Sequence, residues 1–355
     1  MASVKLLVSA LEPSANLHLR YLLEASEGIQ ICGIFDRSLG EPLYGMEEFS
    51  VMGVVDVLAK YFKGKEAVAE MVSLAGDCER VLLVDAPAFN IPLAKAIKAR
   101  YPDKQIVYYI LPKVWAWKRK RAKLVDRYCD RLASIFPFEK RFYARAEYVG
   151  NPLLDEIDVR RRPDPDLETV AFLPGSRRSE IARLMPIFRE TAEALPGRRR
   201  VLVIPPFLSP SDRKEWYGDL SLFEVVSDTH EAVARSHFAF VCSGTATLET
   251  ALIGTPFVLV YRARPLDYAI GRLFVRLPHV GLANIIMDFE GFPPLHPERF
   301  QGEVNAKELI RLYETLDRER FAEASLLLRK LLGHGSAKRV AQMIGAPSGS
   351  SHEDS

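Results

Sequence analysis

Short apolar runs alternate with amphipathic stretches along almost the whole of this 355-residue chain. That alternation leaves few folds open. Candidate strands fall at Lys5–Ser9, Ile29–Phe35, Arg80–Val84, Gln105–Tyr109 and Arg131–Ile135, with helical patterns between them, for example Asn16–Ala25 and Pro92–Arg100. Strands that are apolar throughout and separated by helices predict a parallel sheet covered on both faces. The pattern breaks at Gly150-Asn151-Pro152 and passes through the polar stretch Asp158–Glu168. It then restarts, with strands at Thr169–Leu173, Arg200–Ile204, Leu222–Val226, His237–Cys242 and Pro256–Tyr261. Helices fit Glu180–Ala194, His230–Ser236, Thr245–Ile253, Ala306–Leu332 with a break, and Ser336–Ile344, while Leu277–Pro297 reads as ordered loop. The expectation is an α/β chain of two doubly wound domains. Residues 1–152 form the first, 153–168 a linker, 169–345 the second and 346–355 a disordered tail. The last helices are free to cross back to the first domain. In such sheets ligands bind beyond the carboxyl ends of the strands, which predicts a site in the cleft between the domains.

Composition excludes several classes. Apolar residues make up 48% and the net charge is +2, so no global field exists for nucleic acid and any cationic role is local. The four cysteines, Cys32, Cys78, Cys129 and Cys242, form no CxxC pair and read as thiols rather than disulfides or zinc ligands. None of the seven histidines has HxxxH spacing, and no metal site is expected. The first apolar segment, Leu6–Leu11, is too short for a signal peptide, and no run approaches membrane-spanning length. A soluble or peripheral protein is expected. Neither GxGxxG nor GxxxxGK[ST] occurs, which argues against dinucleotide redox chemistry and P-loop hydrolysis.

Two strand-to-helix junctions in the second half put small residues and hydroxyls where unpaired backbone N–H groups attract phosphate. In Cys242-Ser243-Gly244-Thr245-Ala246-Thr247-Leu248-Glu249, Gly244 allows close approach and Ser243 or Thr245 can cap the helix. Glu249 lies one turn inside, either solvated or accepting from a ribose diol. Leu173-Pro174-Gly175-Ser176-Arg177 adds a cation: Arg177 is either a surface arginine after a turn or a partner for a departing diphosphate. Tyr261-Arg262, at another strand end, supplies a second cation. In the first half, Asp85-Ala86-Pro87-Ala88-Phe89-Asn90 follows a strand. Pro87 is expected to stop the chain folding straight into helix, so Asp85 either projects as a general base or caps the next helix, a task Asn90 can also perform. Glu12, in Leu11-Glu12-Pro13-Ser14-Ala15-Asn16, is a second candidate base if Ser14 or Asn16 caps the helix there.

Two segments suggest a membrane surface. If Val54–Lys65 is helical, Asp56, Lys60 and Lys63 share one stripe and nearly everything else is apolar, an arc wider than core packing requires. The alternative is a helix buried between elements. Trp115-Ala116-Trp117-Lys118-Arg119-Lys120-Arg121-Ala122-Lys123 sets two tryptophans beside five cations, a composition suited to anionic headgroups.

Segments running from about residue 5 to 345 resemble, in order, the lipid-A-disaccharide synthases. They are Met46-Glu47-Glu48-Phe49-Ser50-Val51-Met52-Gly53, the Asp85–Asn90 segment, Val114–Lys118, Phe136-Pro137-Phe138-Glu139-Lys140, Val149–Pro152, Leu173–Arg177, Ser243–Glu249 and Tyr261-Arg262. The resemblance implies a GT-B fold, two Rossmann-like domains facing across a cleft. It also implies an inverting glycosyltransferase of Gram-negative outer-membrane biosynthesis, needing no cofactor. Such an enzyme condenses UDP-2,3-diacylglucosamine with 2,3-diacylglucosamine 1-phosphate (lipid X) to a β-1,6-linked disaccharide 1-phosphate and UDP. It implies Asp85 and Arg177 as the essential pair, with Glu12 in reserve. Gly175, Ser176, Ser243, Gly244, Thr245, Ala246, Thr247, Glu249, Tyr261, Arg262, Asn284, Glu298 and Gln301 then serve the donor. Val55, Val57, Leu58, Tyr61 and Phe62 match the family's membrane-contacting surface, with Leu184 as a neighbour. The implied place is peripheral, on the cytoplasmic face of the inner membrane, with anionic lipid as a partner and a homodimer allowed.

The chain departs from the family's Gly-Glu-x-Ser-Gly-Asp pattern at Leu11, Ala15 and Asn16, so no carboxylate acts at Asn16. Ala88 replaces a second acid near Asp85, which removes a rival base. Two other readings use the same residues: a UDP-GlcNAc 2-epimerase, which has the UDP loops but no need of an exposed apolar helix, and a non-enzymatic membrane protein binding headgroups through Lys118–Lys123.

Overall fold

The computed structural model describes residues 4–50, 57–162, 168–206, 208–264 and 277–345, with the backbone alone for residue 50 and residues 57–63. The chain divides into two compact units. The first comprises residues up to Glu156 together with those from Leu332 onward, and the second comprises Ile157–Leu331.

The first unit holds seven parallel strands: β1 (Val4–Ala10), β2 (Ile29–Phe35), β3 (Tyr44–Gly45), β4 (Arg80–Val84), β5 (Gln105–Tyr109), β6 (Arg131–Ser134) and β7 (Ala146–Tyr148). Their order is β3-β2-β1-β4-β5-β6-β7, so the chain reverses direction beside β1. Helices α1 (Pro13–Glu24), α2 (Glu47–Ser50), α3 (Val57–Ala75), α4 (Pro87–Arg100), α5 (Lys120–Tyr128) and α6 (Leu153–Glu156) connect them. The apolar runs form strands because each is shielded on both faces: Leu6, Leu7, Val8, Val81, Leu82, Leu83 and Val84 have no exposed surface. In α3, Ala67, Met71 and Ala75 are buried at four-residue spacing, the stripe expected of a helix lying on a sheet.

The second unit carries β8 (Thr169–Leu173), β9 (Arg199–Val203), β10 (Glu224–Val226), β11 (Phe238–Cys242), β12 (Phe257–Tyr261) and β13 (Glu298–Phe300) in the order β10-β9-β8-β11-β12-β13, all parallel. Its helices are α7 (Arg178–Glu193), α8 (Pro210–Tyr217), α9 (Thr229–Arg235), α10 (Thr245–Ile253), α11 (Leu282–Phe289), α12 (Ala306–Thr315) and α13 (Arg318–Leu332). Phe172, Phe188, Phe238 and Phe240 form an aromatic centre, with ring centroids 5.3 to 6.3 Å apart along the Phe172–Phe188, Phe238–Phe240 and Phe188–Phe240 contacts. The last helix, α14 (Ser336–Met343), belongs to the first unit. Ser336 Oγ lies 2.7 Å from the Tyr109 hydroxyl, Arg80 Nη1 donates to Met343 O at 3.0 Å, and Gly335 N donates to Asp155 Oδ1 at 2.7 Å.

Four local expectations are corrected. Pro87 does not delay the helix; it opens α4, because a proline lacks only an N–H that has no partner in the first turn. Pro13 opens α1 in the same way, three residues before the expected start. The 277–297 segment is not all loop: eight of its residues form α11, five of them buried. Leu184, expected at a membrane, has no exposed surface and packs in the second unit's core. Val55 lies outside the described residues. Val57, Leu58, Tyr61 and Phe62 lie on the helical backbone of α3, and their side chains lie outside the description. The 163–167 part of the expected linker and the 346–355 tail are also outside it.

Candidate active site

In the first unit, the carboxyl ends of β1, β4 and β5, neighbours in the sheet, deliver Glu12, Asp85 and the loop containing Lys113. Asp85 and Ala86 both adopt left-handed backbone, with φ of +47° and +40°. Each such non-glycine residue costs roughly 1–3 kcal/mol and persists only where its surroundings over-determine it. The surroundings here do so. Asp85 N donates to Tyr109 O at 3.0 Å, and Asp85 O accepts from the Tyr108 hydroxyl at 2.6 Å and Asn90 Nδ2 at 2.8 Å. Asn90 is itself fixed: Nδ2 also donates to Val84 O at 3.1 Å, and Oδ1 accepts from Ser9 Oγ at 2.6 Å. Neither Asp85 nor Asn90 caps α4, whose N-cap is Ala86 without a side-chain bond. Asn90 anchors the turn instead.

Burial raises the Asp85 carboxyl above its usual range, against the opposing pull of Lys113, the Ala86 N–H and His18. A carboxylate destabilised by desolvation is a stronger base when ionised. Glu12 is the N-cap residue of α1, with no side-chain cap. Its carboxyl is raised by desolvation first and by Asp85 second, with Lys113 acting the other way. The capping expected of Ser14 or Asn16 does not occur. Asn16 is buried and ties strands together, donating to Ala10 O and Glu12 O at 2.9 Å each and accepting from Asp36 N at 2.7 Å. Two neighbours of Asp85 were absent from the expected set. His18 is buried, hydrogen-bonded through Nδ1 to Glu156, and edge-on to Tyr109 with centroids 6.3 Å apart. Lys113 is exposed.

In the second unit, β8 and β11 are hydrogen-bonded neighbours, so the two phosphate-type junctions emerge side by side. Gly175 has φ +96°, and a Cβ there would lie 2.7 Å from Glu180 Oε2 and 3.1 Å from Cys242 Sγ. The conformation favours glycine, and any side chain there would have to displace the Glu180 carboxylate. Arg177 is the N-cap residue of α7; its side chain is 79% exposed, and Nη1 donates to Glu180 Oε1 at 3.0 Å. Glu180, buried in the first turn, thus links the Gly175 loop to Arg177, and it too was missed from sequence.

The N-terminus of α10 has no side-chain cap. Ser243 N instead extends the sheet to Val260 O at 3.1 Å, and Thr247 Oγ1 donates back to Gly244 O at 2.7 Å. Open space surrounds the position of a Gly244 Cβ. The expected capping by Ser243 or Thr245 therefore gives way to a bare helix start with positive potential, suited to an anion. Glu249, one turn on, is not simply solvated: His230 Nε2 lies 3.5 Å from its Oε2, and this contact raises the histidine's pKa.

The remaining donor-side residues do mainly structural work. Asn284 is 1% exposed. Its Nδ2 donates to His296 O and Glu298 Oε1 at 2.9 Å each, and its Oδ1 accepts from Leu295 N at 2.8 Å and His296 N at 3.1 Å. All four hydrogen-bonding positions of the amide are used, so the expected direct donor contact is corrected to a brace. Glu298 accepts from Val280 N at 2.9 Å and Gly281 N at 3.0 Å. Gln301, at φ +53°, accepts from Ala263 N at 3.1 Å and so fixes the loop after Tyr261 and Arg262. Burial and then Glu180 raise the Tyr261 phenol, an effect that places Tyr261 with the Arg177 loop.

The lipid-A-disaccharide synthetase family model matches residues 6–344. The chain belongs to this family. A lipid-A-disaccharide synthase from Helicobacter pylori (strain G27) is 47% identical over 350 residues, covering 95% of this chain and 96% of the relative. This makes the protein a hexosyltransferase, a glycosyltransferase of lipid A biosynthesis. The fold agrees. The calicheamicin glycosyltransferase CalG4 superposes with a TM-score of 0.62 at 14% identity, covering 97% of this chain and 98% of that one. A putative UDP-N-acetylglucosamine 2-epimerase from Listeria monocytogenes does so at 0.61 and 15%, covering 98% of each. The two Rossmann-like parallel sheets are thus those of GT-B enzymes. At such identities the epimerase likeness speaks for the fold alone, and the family match decides against the epimerase and scaffold readings.

Of the tryptophans expected at a membrane patch, only Trp117 is at the surface, 49% exposed, with Lys118 Nζ 4.2 Å and the Arg121 guanidinium 5.5 Å from its ring centroid. Trp115 is buried against Phe136 and Phe138 and donates from Nε1 to Glu139 at 3.2 Å. Among the described residues, no helix is long and apolar enough to cross a membrane.

Proposed function

We propose that the protein joins UDP-2,3-diacylglucosamine to 2,3-diacylglucosamine 1-phosphate in a single inverting displacement. The acceptor's 6-hydroxyl oxygen bonds to the donor's anomeric carbon as the bond from that carbon to the diphosphate oxygen breaks. The hydroxyl proton passes to Asp85, with Glu12 the second carboxylate of the same unit. UDP leaves carrying the electron pair. Arg177 and the bare N-terminus of α10 stabilise the charge that grows on its diphosphate, while Glu249 accepts from the ribose diol. Ser176, Thr245 and Ala246 line the same junctions.

The observation that carries the reading is Asp85 itself. Its strained backbone, anchored by three hydrogen bonds, holds a carboxylate at the end of a central strand, where burial makes it a better base. The acyl chains stay at an anionic membrane surface on the cytoplasmic side, gripped through α3 near Val57, Leu58, Tyr61 and Phe62. The exposed Trp117 and its cations support that placement. Incubating purified protein with the two lipids tests the reading. The expected outcome is a tetraacyl disaccharide 1-phosphate by mass spectrometry, with a β linkage by NMR and one UDP per turnover. Release of free sugar without a disaccharide would overturn it.

A further inference from the structure

Four free thiols are present, and two of them meet. Cys32 on β2 and Cys78 in the turn between α3 and β4 stand 46 residues apart in sequence, yet their sulfurs are 3.1 Å apart. We propose that Cys32 and Cys78 are a modification site, forming a reversible disulfide that ties β2 to the end of α3. A disulfide bond is about 2.05 Å long, so closure needs roughly 1 Å of approach between the two sulfurs.

The surroundings assign the roles. Cys32 is only partly buried whereas Cys78 is buried, so Cys32 meets an oxidant first. The Cys78 thiol lowers the Cys32 pKa to about 7 by hydrogen bonding, and Lys5 contributes in the same direction against burial and Asp77. Cys78 is shifted upward by the same contact, so it holds the proton while Cys32 is the thiolate. Such a thiolate with an adjacent resolving thiol is the arrangement that exchanges readily. Cys129 and Cys242 are internal controls: both are buried, both are pushed to about 12 by desolvation, and neither has a sulfur neighbour among the described residues.

With glutathione disulfide as oxidant, the Cys32 thiolate attacks one of its sulfurs, the S–S bond breaks, and one glutathione leaves as thiolate and takes up a proton. Cys78 then loses its proton and attacks the Cys32 sulfur of the mixed disulfide, expelling the second glutathione. Two protein thiols are oxidised and one glutathione disulfide is reduced. The pair lies beside the amino end of β4, whereas Asp85 follows its carboxyl end, so the site is separate from the chemistry above.

The test uses the full-length reduced protein with excess glutathione disulfide at neutral pH, alkylation of remaining thiols, digestion without reductant, and mass spectrometry. The expected product is a Cys32–Cys78 linked peptide pair lighter by two hydrogens, with Cys129 and Cys242 alkylated. In the Cys78→Ala variant, glutathione is expected to accumulate on Cys32, because nothing resolves it. The proposal fails if the unsubstituted protein keeps all four thiols alkylatable, if glutathione persists on Cys32 beside a free Cys78, or if another pairing dominates.

Discussion

Arg177 Nη1 lies 3.0 Å from Glu180 Oε1, an exposed cation tethered one turn along α7 to a carboxylate that is buried. The same carboxylate fills the space in which a side chain at Gly175 would sit. Glu180 therefore sets where the Arg177 guanidinium rests, the position from which the proposed mechanism has it meet the leaving diphosphate. Arg177→Ala is expected to lower kcat by about 10²–10³-fold, the range for losing one charge-stabilising donor. Glu180→Gln keeps the shape and removes the charge, so a smaller loss, about tenfold, should fall on kcat and leave KM for the acceptor unchanged. Steady-state kinetics with both substrates varied decides it. Equal kinetics for Glu180→Gln and the unsubstituted enzyme would count against the tether.

Asp85→Asn should cost about 10²–10⁴-fold in turnover, the usual contribution of a positioned base, while UDP binding by calorimetry stays normal because the junctions proposed to hold UDP belong to the other unit. The pH profile gives a second check. Burial raises the Asp85 carboxyl, so kcat/KM should fall on acidification at a pH above the ordinary aspartate value. A profile unchanged in Asp85→Asn, or near-normal turnover, removes Asp85 from the role.

Glu249 gains its orientation from His230, 3.5 Å away on the neighbouring α9. A hydrogen bond to a charged group is worth about 1.5–3 kcal/mol when a partner is lost. Glu249→Gln should therefore weaken UDP binding by roughly tenfold or more, and His230→Ala by less. Because Glu249 raises the His230 pKa, the His230 effect should grow below neutral pH, where the imidazolium holds the carboxylate most firmly. Titration calorimetry with UDP across pH reads both.

The longer strands were legible because their residues are apolar without alternation, which only double-sided burial explains. Ile29–Phe35 and Thr169–Leu173 appear with the bounds expected of them. The edge strands β3, β7 and β13 are two or three residues long, too short to leave a periodic signal. Among the candidate site residues, Asp85 and Arg177 could be singled out from sequence because strand-end loops of small and polar residues carry a local meaning. Lys113, His18 and Glu180 could not, since their relevance arises from which strands lie side by side. Leu184 shows the converse: an apolar position on an amphipathic helix looks the same facing a core or a bilayer, and only packing against the aromatic centre settles it. Asn284 was placed by resemblance at a ligand, but resemblance cannot show that its amide is already saturated.

Glu139, in the Phe136–Lys140 segment, is fully buried, accepting from Trp115 Nε1 at 3.2 Å and Ser134 Oγ at 2.8 Å. Desolvation raises its carboxyl to about 7 from 4.5, against those hydrogen bonds and Lys113. The folded state thus holds a proton that the unfolded chain releases. A raised folded value means stability is complete below about pH 4.5 and is lost as pH rises toward 7, by up to about 3 kcal/mol. Glu139→Gln replaces the acid by a neutral group that still accepts from Trp115 and donates to Ser134. The variant should match the unsubstituted protein near pH 5 and exceed it at pH 8. Urea unfolding at the two pH values measures the difference. A gap that stays constant between them would show that Glu139 does not titrate in this window.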